Sequence, residues 1–159
     1  MKKTTLVLLA VSLIFINCGG NDKKKDNAAA DTNNTEVKEE SSTTAAETDP
    51  MKNKGIGPVK SVTLDSEVNQ EMAAKGKEVY EKMCTACHKV DKKFIGPAPA
   101  GILERRTPEW IMNMILNPQV MVKEDPIAKK LLAEYLSPMS NQNLTEKEAR
   151  AVLEYFRTL

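Results

Sequence analysis

Apolar residues fall into three regimes along this 159-residue chain. A solid apolar run extends from Leu6 to Ile16 directly behind Lys2 and Lys3. The stretch from Gly19 to about Asp65 has no sustained period, and helical spacing begins near Val68. Val68, Met72, Gly76, Val79 and Met83 recur at three- and four-residue steps and predict an amphipathic helix that runs into Cys84. Thr107 and Pro108 form an N-cap and N1 pair for a helix carrying Trp110, Ile111, Met114 and Ile115. That helix is expected to stop at Asn117, because Pro118 cannot continue it. Asp125 and Pro126 repeat the device for a helix from Ile127 to about Leu136. Thr145 and Glu148 have capping-box spacing ahead of a stripe of Ala149, Val152, Leu153 and Phe156. No segment alternates with period two, so residues 66–159 are expected to form one small all-α domain of about four helices.

The other two regimes are not domains. A charged start followed by an apolar run too short to span a bilayer reads as an export signal over residues 1–17. Cys18 follows it and resembles the lipobox cysteine of bacterial lipoproteins, although Phe15, Ile16 and Asn17 depart from the usual Leu and small residues. That resemblance implies lipidation at Cys18 and attachment to a membrane on the periplasmic side, with plain secretion as the alternative. Gly19 is not an inner-membrane retention aspartate, which leans the choice of membrane outward. Residues 18–65 are polar and low in complexity and are expected to be a disordered linker. As a flexible coil the linker would span about 35 to 40 Å.

Composition adds two constraints. Aromatic residues make up only 4% of the chain, a thin supply for the core of a small domain, and such domains often recruit a cofactor or crosslinks. The 23 Lys and Arg are matched by 22 Asp and Glu, so no global field favours nucleic acid.

Candidate chemistry concentrates in "YEKMCTACHKV", residues 80–90, which holds Cys84, Cys87 and His88, the chain's one histidine. C-x-x-C-H is the attachment signature of c-type haem: two sulfurs bond the vinyl groups and the adjoining histidine is placed to ligate iron. A disulfide, a thioredoxin-like redox pair and half of a zinc site compete with it. The zinc site lacks two further Cys or His ligands in the domain, and a redox pair would usually follow a strand at a helix start.

The order of motifs resembles class I cytochrome c over most of residues 67–159. Gly76 and Tyr80 precede CTACH, Ile95-Gly96-Pro97 follows it, a methionine lies before the last helix, and "NLTEKEARAVLEYFRTL" closes the chain. The resemblance implies a small cytochrome c fold wrapped around one covalent haem c. It also implies a close crossing of the first and last helices at Gly76, filled by Tyr155 or Phe156. Pro97 is assigned to offer its carbonyl to the free ring N–H of His88, with an ordinary turn proline as the alternative.

With no second histidine, methionine is the implied sixth ligand. Met139 occupies the family position, although Pro138 precedes it where relatives often have proline after. Met121, read as a second loop methionine, is the alternative. Arg105, Arg106 and the indole N–H of Trp110 are weighed as contacts to haem propionates against surface and packing roles. Lys89, Lys92 and Lys93 could form a basic rim for an acidic redox partner, or merely a solvated face.

A haem filled on both sides by protein leaves one-electron transfer as its reaction, so the expectation is a carrier and not an enzyme. It would act as a monomer tethered to the membrane, between a quinol-oxidising complex and a terminal reductase or oxidase. The run "GPAPAGILERRTPEWIMNMILNP" also resembles small cytochromes associated with nitrous-oxide reductase. The alternatives are a haem sensor or haem enzyme with an open sixth position, and a subunit of an oxidase complex.

Overall fold

Five α-helices and one 3-10 turn, with no strand, form the regular structure of residues 48–159, the part of the chain described by the computed structural model. The expected signal at 1–17, the lipidation of Cys18 and the linker as far as residue 47 lie outside the described residues.

Helix α1 spans Gln70–Met83 and starts at Asn69, whose side chain accepts from the Met72 N–H at 2.9 Å. Its buried face is Ala73, Gly76 and Tyr80. Met72, Val79 and Met83 are only half-buried, so the core side lies slightly round the helix from the predicted stripe. Helix α2, Pro108–Leu116, has Thr107 as N-cap and Pro108 in its first turn.

Asn117 then closes α2 and opens helix α3, Pro118–Glu124. The expected loop around Met121 is therefore corrected to a helix. Pro118 stops α2 because it cannot donate to it, yet its fixed φ suits the first position of the next helix. Helix α4, Pro126–Tyr135, follows at Asp125, whose Oδ1 accepts from the Ile127 and Ala128 N–H groups at 3.0 and 2.7 Å. Helix α5, Glu146–Phe156, has the complete capping box between Thr145 and Glu148.

Packing centres on the crossing of α1 and α5. A Cβ added at Gly76 would overlap the Ala151 carbonyl, so the two backbones touch where a side chain would hold them apart. Around this point Tyr80 packs against Tyr155 and Phe156, with ring centroids 5.5 and 5.7 Å away. Ala149, Val152, Leu153 and Phe156 are all in the core, as their spacing predicts.

The expected linker is corrected as well, since its last part is an ordered strap. Asn53 N–H closes a turn onto the Asp49 carbonyl at 2.9 Å. Val59 N–H donates to Asn113 Oδ1 at 3.0 Å, and Asn113 Nδ2 donates to the carbonyls of Lys54 and Val59 at 2.9 Å each. Val62 N–H donates to Glu109 Oε1 at 3.2 Å. Further along, Arg157 donates to the Asp65 carbonyl at 2.6 Å. The strap is held mainly through its backbone by polar side chains of α2, an arrangement that needs no apolar period in the strap itself.

Candidate functional site

The residue that ends α1 begins the site. Cys84 caps the helix, and the turn after it is tightened by the Cys87 and His88 N–H groups, which both donate to the Cys84 carbonyl at 3.1 and 2.9 Å. Gly96 N–H donates to the Cys87 carbonyl at 2.9 Å, bringing Ile95-Gly96-Pro97 back across the motif. That return places the Pro97 carbonyl 2.8 Å from His88 Nδ1. The bond commits Nδ1 and leaves Nε2 as the ring nitrogen for a metal. Tyr80 OH, whose phenol is pushed up to about 12 by burial with smaller effects from Cys84 and Tyr155, donates to the His88 carbonyl at 3.2 Å.

These residues line a cavity of about 560 Å³, within the range of cofactor pockets. Its other walls are mainly apolar: Ile102, Ile111, Met114, Ile115, Leu131 and Leu132. Met139, half-buried in the segment between α4 and α5, lines the same cavity. Met121 does not. It is fully buried on α3, where its sulfur accepts from the Ile56 N–H of the strap at 3.0 Å. Its candidacy as the alternative axial ligand is corrected to a place in the core beneath the strap.

The donor set fits a covalently attached haem. Cys84 and Cys87 are free thiols and form no disulfide. Burial, with a smaller contribution from Cys87, pushes the Cys84 thiol up to about 11, opposite to the low value of a redox-active C-x-x-C thiolate. Among the described residues no group of three or more His, Cys, Asp or Glu could hold a metal ion without the cofactor. An apolar chamber with two thiols and one imidazole therefore matches a flat, largely apolar group bonded through sulfur.

Trp110 and Arg105, both weighed as propionate contacts, line the cavity and each has a partner within the protein. Trp110 lines the cavity, but its indole N–H donates to Asp125 Oδ1 at 3.1 Å and is already committed. Arg105 lines the cavity and donates to the carbonyls of Ala98 and Ala100 at 3.0 and 2.9 Å, bracing the loop after Pro97. Arg106 also lines the cavity, with its guanidinium 5.2 Å from the centre of the Trp110 ring. The basic rim is partly neutralised: Lys93 pairs with Glu134 at 2.8 Å and lies 4.3 Å from the Tyr135 ring centre. Sequence reasoning missed Asp125 as more than a cap, because its second oxygen meets Asn53, which is 72 residues away.

Comparison with known proteins agrees with this geometry. The cytochrome c family model matches residues 73–159. A cytochrome c2 of Rhodopseudomonas palustris is 50% identical over 34 residues, 21% of this chain and 29% of that relative, so the match spans less than a third of the relative's length. Among solved structures, a cytochrome c from Rhodothermus marinus is 43% identical, covers 64% of this chain and 88% of its own, and superposes with a TM-score of 0.63. An engineered form of that cytochrome, bound to a carbene intermediate, is 43% identical over the same shares with a TM-score of 0.60.

Proposed function

This chain belongs to the cytochrome c family, and from that membership we propose that it is a monohaem carrier of single electrons. Haem c, when bound, supplies an iron that changes oxidation state by one electron. The chain's residues divide the remaining work. The thiols of Cys84 and Cys87 would hold the group, each adding across one vinyl, with its sulfur on one vinyl carbon and its hydrogen on the other. His88 would ligate through Nε2, with Nδ1 committed to the Pro97 carbonyl, and Met139 would supply a thioether.

The observation that carries the reading is that His88 and Met139 line one cavity with both cysteines. Two protein ligands would leave no coordination position for a substrate, so the chemistry the group would supply is one-electron transfer. The apolar walls keep water out and favour the less charged ferrous state.

The wider setting belongs to the same proposal. An export signal at residues 1–17 and lipidation at Cys18 would tether the domain on the periplasmic side of a membrane. There it would work as a monomer between a quinol-oxidising complex and a terminal reductase or oxidase. The likeness of residues 96–118 to cytochromes associated with nitrous-oxide reductase makes that enzyme the first acceptor to try.

The test is the absorption spectrum of the oxidised, haem-loaded protein beside its Met139→Ala variant. The weak long-wavelength band of methionine sulfur on ferric haem is expected in the parent and absent from the variant. A parent that lacks the band and binds carbon monoxide readily when reduced would have an open sixth position, and the carrier reading would fail.

A further inference from the structure

We propose that Asn53 and Asp125 are positioning residues that hold Trp110 in the wall of the haem cavity, so that the strap governs the surroundings of a cofactor it does not touch. The proposal rests on the haem reading above.

Asp125 is almost fully buried, and its two oxygens join three separate parts of the fold. Oδ2 accepts from Asn53 Nδ2 of the strap at 2.7 Å. Oδ1 accepts from Trp110 Nε1 at 3.1 Å and from the first N–H groups of α4. A second tie reaches the same place: Thr107 Oγ1 donates to the Asn53 carbonyl at 2.6 Å and accepts from the Trp110 N–H at 3.1 Å. The strap backbone also presses on the indole directly. At Gly55, where φ is +70°, an added Cβ would lie 3.3 Å from Trp110 Cδ1 and 2.8 Å from Met121 Cε. Only a residue without a side chain passes there at that φ without strain.

Helix α2 stands between strap and cavity. It presents Glu109 and Asn113 to the strap, and Ile111, Met114 and Ile115 to the cavity. Trp110 belongs to both sides, buried to 2% exposure, lining the cavity while its N–H points to Asp125. Asn53 and Asp125 are absent from the cavity lining, so their effect on haem is indirect: Asn53 acts through the indole, and Asp125 acts through the indole and through α4, whose start it caps. Buried polar networks of this kind fix one geometry when every member is satisfied, and loosen as a unit when one is removed.

The experiment uses the full haem-loaded chain, its Asn53→Ala variant and its Asp125→Asn variant. Trp110 is the chain's single tryptophan, so its fluorescence reports one position, and haem quenches an indole held against it. Asn53→Ala is expected to raise Trp110 emission several-fold under native conditions and to lower the midpoint potential, as water reaches the loosened wall. Helical circular dichroism should be unchanged. Asp125→Asn should raise Trp110 emission in the same direction and further; its potential also carries the loss of a buried negative charge, which acts upward, so the potential is read on Asn53→Ala. If Asp125→Asn does not mature, Asn53→Ala decides alone. A haem-loaded Asn53→Ala protein that only melts at lower temperature, with parental emission and potential, overturns this assignment and leaves the carrier reading intact. A parent chain that matures without covalent haem overturns both.

Discussion

The Nδ1 atom of His88 lies 2.8 Å from the carbonyl oxygen of Pro97, across a loop closed by the Gly96 N–H on the Cys87 carbonyl. The ring is oriented by a backbone atom, so the identity of residue 97 matters only through the rigidity it gives the loop. Pro97→Ala retains the carbonyl and is expected to cost about 0.4–1 kcal/mol, the usual effect of a proline on the entropy of the unfolded chain. Thermal unfolding measures the cost, and the oxidised haem spectrum should match the parent. A changed spectrum would mean that the ring of Pro97, and not its carbonyl, sets the histidine.

Gly76 is the tightest point of the fold. A methyl group there would meet the Ala151 carbonyl, and a backbone atom in a helix cannot swing aside as a side-chain tip can. Gly76→Ala is expected to destabilise by about 3 kcal/mol, the upper part of the range for overpacking. Alanine's better helix propensity returns about 1 kcal/mol at most. Denaturant midpoints decide it, and a variant as stable as the parent would show that α1 and α5 can separate without loss.

These two contacts mark what could be read in the sequence. CTACH and the Thr145–Glu148 box each carry their chemistry within a few residues, so the haem cysteines and the last helix are legible, whereas the crossing at Gly76 comes from the family resemblance, because its contact, Ala151, is 75 positions away. Helix α3 was hidden because Pro118 ends one helix and begins another, and only the first role was read. The strap was hidden for a different reason. Its order comes from side chains of Glu109, Asn113 and Arg157 that bind its backbone from 47 to 92 positions away in sequence, and composition carries no trace of such partners. For Trp110 the sequence leaves a propionate contact and a packing role both open, because its acceptor, Asp125, already has a complete local role as a cap.

Met121 and Met139 should separate cleanly by experiment. Met121 is fully buried with its sulfur against the strap, whereas Met139 lines the cavity. Met121→Ala is expected to cost about 2–5 kcal/mol, as large-to-small changes in a packed core do. It should keep the methionine-to-iron absorption band. Loss of that band in Met121→Ala, with its retention in Met139→Ala, would reverse the two assignments.

Glu154 gives the fold a predictable response to acid. Its side chain is 1% exposed on α5, paired with Arg150 and with Arg157 at 2.7 Å, and it accepts from the Asn69 N–H at 2.7 Å. Burial pushes this carboxyl upward, but the hydrogen bonds from Arg150 and Asn69 and the charges of both arginines outweigh it and hold the group below the usual glutamate value. A carboxylate lowered in the folded state stabilises the fold above its unfolded pKa, and that contribution is lost as pH falls toward the folded value. At neutral pH, Glu154→Gln is expected to cost about 3 kcal/mol, as for one partner removed from a buried ion pair. The difference between the two proteins should stay constant down to about pH 4.3, the ordinary glutamate value, and then narrow as the parent loses its advantage. Denaturant unfolding at a series of pH values measures both parts, and a gap that widens on acidification would contradict the assigned direction of the shift.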